Sequence, residues 1–392
     1  MRSMKTDCDV LIVGAGITGP LLACALSGSG LRVVLCGQRP VPALNDAYDL
    51  RVSALTPATV EVLSQLGIWN AVEQRAGRIE SMHVWDESGG GKITFDAAET
   101  SQPALARVAE NISVARALAD RLANAPDVEW IESQLTEINI TAENAYARFE
   151  NGASRAAQLI IGADGTNSTV RKLAGIASTQ WPYAQTAIVA HVRTAKAHAN
   201  RALQAFRPEG TLAFLPLPEP RHSSIVWSAD TPRAEELAAL GEADFRAQLQ
   251  AAIDGKLGAI ESVTARAMFP LVHRHANSYI AERVALVGDA AHQIHPLAGQ
   301  GLNLGVQDAM ALAHELRAAH MAKRDIGSRR VLRNYERERK GPNMAMLTAM
   351  DAFARGFRAQ SPPVVTLRSA ALSATDRIVP LKKTLMRYAS GL

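Results

Sequence analysis

The sequence predicts an α/β protein with at least two domains and a helical C-terminal segment. Residues 9–36 and 284–308 each join a short apolar run to a glycine-rich turn and an apolar-periodic helix, which is the pattern of a parallel sheet covered by helices. Between them, from about residue 181 to residue 271, longer runs alternate apolar and polar residues. This two-residue period is typical of an antiparallel sheet, and it predicts a second domain.

The first glycine-rich turn lies in the context that a dinucleotide site requires. An apolar run at 9–13 is followed directly by Gly14, Gly16 and Gly19 in the spacing G-x-G-x-x-G, then by a predicted helix at 20–27 and a second apolar run at 31–36. In such a Rossmann-like βαβ unit the glycines form a tight turn and let the backbone approach a pyrophosphate. The pattern therefore predicts dinucleotide binding.

One position departs from that pattern. The second strand usually ends in Asp or Glu, which binds ribose hydroxyls, but Gly37 stands there and is followed by Gln38 and Arg39. Gln38 offers a neutral acceptor, and Arg39 would suit an added phosphate. The contact with the adenosine ribose is left open.

The second glycine-rich stretch reads LVGDAAHQIHPLAGQGLNLGVQD over residues 286–308. Asp289, at the end of a strand, can accept hydrogen bonds from sugar hydroxyls, and the free N–H groups of the helix that begins near Gly301 favour negative charge. Taken alone the stretch is equally compatible with an ordinary strand–loop–helix turn. His292 and His295 are interpreted as loop residues, because no other metal-ligand cluster accompanies them.

Two further segments are candidates for the same site. Arg51, on a predicted strand at 49–55, is interpreted with equal weight as a surface charge or as a bidentate partner of a pyrophosphate. Asp164 and Gly165 follow a strand at 158–161 and precede a Ser/Asn-capped helix, which suits either a simple turn or a site at the carboxyl edge of the sheet. Arg116 lies on a predicted helix at 111–122.

The alternating segments supply candidate pocket residues. We expect strands at 187–192, 212–217, 223–228 and 263–269, with a helix between the last two that carries Phe245, Leu249 and Ile253 on one face. The apolar face of such a sheet could close over a ring system. The candidates for this pocket are Phe214, Leu215, Trp227, Phe269 and Pro270, although apolar strand residues are more often plain core.

Composition excludes several classes of protein. Hydrophobic residues make up 47% and charged residues 20% of the 392 residues, as in ordinary globular proteins, and no apolar run is long enough to span a bilayer. The N-terminal apolar run passes directly into the glycine motif, so we do not expect a signal peptide. Three cysteines without metal-ligand spacing indicate buried thiols in a reducing compartment, and we expect a cytoplasmic location.

The net charge of +4 equals the excess of basic residues in the last 27 positions. Five basic residues stand there against Asp376, namely Arg368, Arg377, Lys382, Lys383 and Arg387. The segment is interpreted as a solvated helix face or, more specifically, as a basic amphipathic tail that contacts a membrane or a partner. No nucleic-acid motif is present.

Three motifs in fixed order, GAGITG at 14–19, GADG at 162–165 and GDAAH at 288–292 with Pro296, Gly299, Gly301 and Asn303, resemble those of the group A flavoprotein aromatic hydroxylases, the family of para-hydroxybenzoate hydroxylase. LRVSAL at 50–55, VAEN at 108–111 and the closing LKK and YASGL are most similar to the ubiquinone-biosynthesis hydroxylases. The resemblance covers nearly the whole chain.

This resemblance implies a Rossmann-like FAD-binding domain of the GR2 type and an antiparallel substrate domain. It implies FAD bound through the first glycine loop, Arg51 near the pyrophosphate, Asp289 on the ribityl or ribose side, and residues 296–303 against the flavin ring. Asp164 would serve both FAD and NAD(P)H, and Gly165 and Arg116 are counted with the cofactor-binding residues. With one glycine fingerprint in the sequence, NAD(P)H would be a transient co-substrate.

The implied reaction is hydroxylation of a polyprenylated phenol or quinol by a flavin hydroperoxide, which needs a dry pocket. Because the cofactor carries the chemistry, no side chain is nominated as catalytic and no metal is expected. Two alternatives remain: a hydroxylase of a small soluble aromatic acid, and a non-catalytic scaffold subunit that holds flavin poorly because of Gly37. Peripheral membrane contact, membership of a ubiquinone-biosynthesis complex and homo-oligomerisation are all left open.

The predicted domain boundaries follow from the same elements. The FAD-binding domain is expected in three parts, at 1–80, 101–180 and 276–340. The substrate domain is expected at 81–100 and 181–275, and a helical C-terminal segment at 341–392.

Overall fold

The computed structural model describes residues 6–40, 48–100, 102–294 and 300–390. In these ranges the strands are β1 (Cys8–Val13), β2 (Val33–Cys36), β3 (Val52–Leu55), β4 (Gly77–Ile79), β5 (Ser81–Asp86), β6 (Lys92–Asp96), β7 (Ala106–Glu110), β8 (Val128–Ile131), β9 (Leu135–Ile140), β10 (Ala145–Phe149), β11 (Ser154–Gly162), β12 (Ser178–Thr194), β13 (Arg201–Arg207), β14 (Gly210–Pro216), β15 (His222–Asp230), β16 (Ile260–Val263), β17 (Ala267–Ala276), β18 (Ile280–Ala281), β19 (Val284–Leu286) and β20 (His292–Gln293).

The α-helices in the same ranges are α1 (Thr18–Leu26), α2 (Pro57–Gln65), α3 (Trp69–Glu73), α4 (Asn111–Ala123), α5 (Thr169–Leu173), α6 (Thr231–Ala239), α7 (Glu242–Ala252), α8 (Gln300–Met321), α9 (Arg329–Arg358), α10 (Pro362–Arg377) and α11 (Val379–Ser390). Two 3-10 turns lie at Ala97–Thr100 and Gly288–Ala290. The predicted mixture of a parallel unit, an antiparallel unit and C-terminal helices is confirmed.

Eight of the described strands form the first sheet, in the order β18-β19-β11-β1-β2-β8, with β10 and β9 continuing from β11. The strands β19, β11, β1, β2 and β8 are mutually parallel. The side chains of β1 are buried on both faces of this sheet, as is usual for a central parallel strand. Helix α1 packs on β1 and β2, and α8 packs on α1. The carboxyl ends of β1, β11 and β19 therefore meet at one edge, directly before the three glycine motifs.

A second sheet contains nine described strands in the order β20-β17-β12-β15-β14-β13-β5-β6, with β16 beside β12. Its core lies between one face and the helices α6 and α7, where Phe245 and Leu249 are fully buried. The strand predicted at 263–269 is wrong as a single element: Ile260–Val263 and Ala267–Ala276 are separate strands, and both pair with β12. The domain boundaries stay predictions.

The basic C-terminal segment is helical, but part of its charge is neutralised. Arg368 on α10 forms a bidentate ion pair with the buried Asp86 at the end of β5, and Lys382 on α11 contacts Glu99 and Asp376. These contacts fasten α10 to the second sheet, and they fasten α11 to α10 and to the 3-10 turn that follows β6. The prediction of one solvated basic face therefore needs correction, because Arg368 and Lys382 are not available to a partner.

Candidate functional site

The first two glycine motifs contact each other directly. Gly14 has a φ of +121°, and a Cβ there would lie 2.2 Å from the carbonyl oxygen of Ala163. Gly19 faces back onto Gly14, and its Cβ would lie 1.9 Å from the Gly14 carbonyl oxygen. Only glycine permits these approaches. The two motifs thus bring the ends of β1 and β11 together at the start of α1.

The third motif joins them through Thr18, the first residue of α1. A Cβ on Gly288 would lie 3.0 Å from Thr18 Oγ1, and a Cβ on Gly305 would lie 2.9 Å from the same oxygen. Strand β19 and helix α8 can approach α1 so closely because both positions are glycines. All three sequence motifs therefore surround one place.

Gly16 differs from its neighbours because a Cβ there would meet no atom within 4 Å. It lies just before α1, whose first N–H groups have no partner inside the helix. Open space beside a helix N-terminus suits the approach of a phosphate. The packing of the protein itself therefore does not explain why this residue should be glycine.

Gly37 adopts a backbone conformation that an acidic residue would not. Its φ is +142°, and a Cβ would lie 2.8 Å from the Cβ of Ala15 and 2.9 Å from the Ala15 nitrogen. The Gly37 carbonyl accepts a hydrogen bond from Trp130 Nε1 at 2.8 Å, and Arg39 lies over the ring of Trp130 and pairs with Glu132. The departure from the acidic pattern thus lets the chain turn tightly against the first glycine loop.

Arg51 is exposed and lies on the segment that leads into β3. Glu110, which is buried, holds this segment by accepting a hydrogen bond from the Asp49 N–H at 2.7 Å and by pairing with Arg75 at 2.7 Å. Among the described residues no hydrogen-bond or ion-pair partner is found for the Arg51 guanidinium, which lies 5.8 Å from the centre of the Phe269 ring. The segment that Glu110 holds therefore presents a cation without an acidic partner in the part of the chain that the structure describes.

Asp289 faces the same place as Arg51. Its side chain is exposed, yet desolvation by the surrounding protein raises the pKa of its carboxyl, against the lowering effects of His292 and Arg51. The carboxylate is therefore accessible although protein surrounds much of it. Such a group can accept hydrogen bonds from hydroxyls of a ligand.

Comparison with known proteins identifies what this arrangement binds. A family model described as FAD binding domain matches residues 7–349. Ubiquinone hydroxylase UbiL of Rhodospirillum rubrum is 36% identical over 385 residues, covering 98% of this chain and 89% of that protein. The 3-demethoxyubiquinol 3-hydroxylase of Escherichia coli is 36% identical over 98% of both chains.

The chain belongs to this family of FAD-dependent hydroxylases. The crystal structure of p-nitrophenol 4-monooxygenase PnpA from Pseudomonas putida shares its fold, with a TM-score of 0.79 and 21% identity over 99% of each chain. The predicted family, FAD as cofactor and monooxygenase activity are thereby confirmed.

The geometry fits FAD at several of the predicted residues. A Cβ on Gly16 would meet no atom within 4 Å, which leaves space for a pyrophosphate. Arg51 is near enough to Asp289 to lower the pKa of its carboxyl, and Arg116 on α4 has no hydrogen-bond or ion-pair partner among the described residues. The carboxylate of Asp164 already accepts hydrogen bonds within the protein, from Ser168 Oγ at 2.6 Å and from the N–H groups of Thr169 and Val170. Its predicted contacts with FAD and NAD(P)H stay predictions.

The structure describes two of the four cofactor-binding residues that were predicted after residue 292. The Asn303 amide is buried and binds the backbone of Ala54 and Thr56 at 2.9 and 3.0 Å, so its side chain fixes α8 against the end of β3. Pro296 and Gly299 lie outside the described residues. Helix α8 already begins at Gln300, so Gly301 is in its first turn, and its contact with the cofactor stays a prediction.

Two of the predicted pocket residues are core residues instead. Phe214 and Trp227 lie on the face of the second sheet that α7 covers, and the Trp227 ring is 5.8 Å from that of Phe245. Strand alternation points Leu215 to the opposite face. Phe269 also lies on that opposite face, because it pairs with Ala187 whereas Trp227 pairs with Ile188. Pro270 is exposed.

The face that carries Phe269 contains apolar residues that the sequence did not single out. Tyr183, Ala187, Val226 and Leu271 form a cluster there, which we call the apolar sheet face. Strand β20 pairs with β17 and so brings the start of the third glycine-rich loop beside this face. The alternation of apolar and polar residues in β12 and β17 indicates which residues share a face. The sequence did not show which of the two faces α7 would cover.

Within the described ranges, no three His, Cys, Asp or Glu side chains are grouped so that they could hold a metal ion. None of the described helices is long and apolar enough to cross a membrane.

Proposed function

We propose that this monooxygenase hydroxylates the aromatic ring of a prenylated phenol or quinol intermediate of ubiquinone biosynthesis. The observation that carries the proposal is the 36% identity with the 3-demethoxyubiquinol 3-hydroxylase over 98% of both chains. Phe269 supports it, because this side chain is 37% exposed at the edge of the apolar sheet face and its ring lies 5.8 Å from the Arg51 guanidinium, and a prenylated ring requires an apolar surface beside the cofactor.

In this proposal the residues of the chain bind the cofactor and orient the substrate ring. Gly16 and the start of α1 receive the pyrophosphate, Arg51 neutralises its charge, and Asp289 accepts hydrogen bonds from the sugar hydroxyls. The apolar sheet face, with Phe269 at its edge, excludes water from the reacting ring. FAD, when bound, accepts electrons from NAD(P)H and activates dioxygen, of which one atom enters the ring and the other leaves as water.

Product analysis tests the proposed substrate class. We expect a short-chain prenylphenol to stimulate NAD(P)H oxidation by the FAD-reconstituted protein and to gain the mass of one oxygen atom. 4-Hydroxybenzoate, the matched compound without a prenyl chain, should give neither effect. Hydroxylation of 4-hydroxybenzoate instead would favour the small-acid alternative, and oxidation without an oxygenated product from either compound would contradict the proposal.

We further propose that the outer face of α10 and α11 docks on an anionic membrane surface, where such a substrate resides. Val364, Leu367, Ala371, Ala374 and Ile378 are exposed at helical spacing and form what we call the α10 stripe, with Leu367 72% exposed. Arg377 is on the same helix, Lys383 and Arg387 are on the following helix α11, and none of the three has an acidic partner among the described residues. An apolar stripe flanked by unpaired cations is typical of interfacial helices.

We expect the double variant Leu367→Glu, Ile378→Glu to bind vesicles containing phosphatidylglycerol at least about tenfold more weakly than the wild type, since each exposed apolar side chain contributes on the order of 1 kcal/mol or more when buried in lipid. Co-sedimentation measures this. Met321→Glu is the control, because Met321 on α8 is 77% exposed but lies outside the stripe. An equal loss in both variants would contradict docking through α10.

A further inference from the structure

A fully buried carboxylate lies behind the candidate cofactor site. Asp308 on α8 accepts four hydrogen bonds: from Arg339 Nε at 2.9 Å, Asn343 Nδ2 at 2.9 Å, His292 Nε2 at 2.5 Å and the Gly288 N–H at 3.2 Å. Two of these donors come from α9, and the other two come from the turn that carries Asp289. Asp308 thus links α9 to that turn.

Each partner of Asp308 is a donor. The Asn343 amide is oriented by its oxygen, which accepts from Arg339 Nη2 at 2.8 Å, so its NH₂ group faces Asp308. The carboxylate cannot donate to His292, so the imidazole proton is on Nε2. Burial alone would raise the pKa of Asp308, but the surrounding donors, with His292 first, hold it below its usual value. Only an acceptor with two oxygens satisfies this arrangement.

The two donors from the turn lie at its two ends. Gly288 begins the 3-10 turn with a φ of +59°, Asp289 follows, and His292 continues into β20, where it pairs with His275. We call residues 288–292 the Asp289 turn. Asp308 accepts a hydrogen bond from the N–H of Gly288 and another from the side chain of His292. Asp289 lies between these two attached residues, so its position is fixed.

We propose that Asp308 is a positioning residue for the cofactor: it holds the Asp289 turn in the conformation that binds FAD, and α9 holds Asp308. The inference rests on the proposed role of Asp289 in FAD binding. An asparagine at position 308 would have the same shape but one acceptor, and its NH₂ group would oppose a donor from the turn or from α9. The turn would then lose at least one of its two attachments.

Titration of the apoprotein with FAD, followed by quenching of flavin fluorescence, tests the proposal. We expect Asp308→Asn and Asp289→Asn each to raise the dissociation constant of FAD at least about tenfold. The matched control is Asp86→Asn, because Asp86 is equally buried and paired with an arginine but lies at the far end of the second sheet. It should lose stability with FAD affinity unchanged.

The outcomes distinguish the cofactor role of Asp289 from the positioning role of Asp308. If Asp289→Asn binds FAD like the wild type, the assigned cofactor role of Asp289 fails. If Asp289→Asn is weakened but Asp308→Asn behaves like Asp86→Asn, the cofactor role stands and the positioning role of Asp308 is overturned.

A pair of substitutions at His292 covers the case in which Asp308→Asn does not fold. Glutamine at position 292 can place an N–H donor near that of His Nε2, whereas leucine has none. We expect His292→Gln to keep the dissociation constant of FAD within about threefold of the wild type and His292→Leu to raise it about tenfold. Equal affinities in the two variants would overturn the proposal.

Discussion

Replacing Arg368 with Met is expected to lower the free energy of unfolding by about 3–5 kcal/mol, the usual cost of leaving one member of a buried ion pair without its partner. The Arg368 guanidinium binds both oxygens of Asp86, whose side chain is 0% exposed. It also donates to the carbonyls of Gly356 and Phe357 at the end of α9. Its loss therefore affects β5, α9 and α10 together. Urea denaturation at neutral pH measures the change.

Arg377→Met is the control, because it removes the same charge from the same helix. Arg377 is exposed and has no acidic partner among the described residues, so its substitution should change the free energy of unfolding by about 0.5 kcal/mol or less. If the two variants were equally stable, α10 would not be held to the second sheet by the Asp86–Arg368 pair.

This ion pair illustrates what charge counting in the sequence can and cannot predict. The excess of basic residues after position 363 is read directly from the sequence. Arg368 and Lys382 are separated from Asp86 and Glu99 by more than 280 positions, and no local pattern indicates such pairs. The charges that remain for a membrane or partner could therefore be identified only from the fold.

The glycine motifs were predictable for the opposite reason. Each depends on a strand, a turn and a helix within about 25 consecutive residues, so local pattern and spacing contain the information. The meeting of the three motifs at Thr18 was not visible in the sequence, and neither was the conformation of Gly37. The expected acidic residue at position 37 assumes ordinary backbone angles, whereas the chain here turns against Ala15.

The pocket residues show the limit of strand alternation. Alternation separates Phe214 and Trp227 from Leu215 and Phe269, since successive residues of a strand point to opposite faces. Which face becomes core depends on where α6 and α7 pack, and that is decided by tertiary contacts. The sequence therefore predicted a substrate sheet but mixed residues from both of its faces.

The prediction that most directly tests the cofactor site concerns Gly16. We expect Gly16→Val to leave the stability of the apoprotein within about 1 kcal/mol of the wild type, because a Cβ there would have no protein atom within 4 Å apart from its chain neighbours. The same side chain would occupy the space assigned to the pyrophosphate and raise the dissociation constant of FAD by about 100-fold, or roughly 2.7 kcal/mol. Thermal unfolding with and without FAD measures both quantities, since FAD raises the midpoint only of a protein that binds it.

Gly19→Ala is the informative counterpart, because its Cβ would lie 1.9 Å from the Gly14 carbonyl oxygen, and a backbone atom cannot yield as a flexible side chain can. It should destabilise the apoprotein itself by about 1–3 kcal/mol or more. The two glycines of one motif would then act differently, Gly16 through the ligand and Gly19 through the fold. If Gly16→Val bound FAD as tightly as the wild type, the pyrophosphate could not lie beside Gly16, and the assignment of the first glycine loop would be lost.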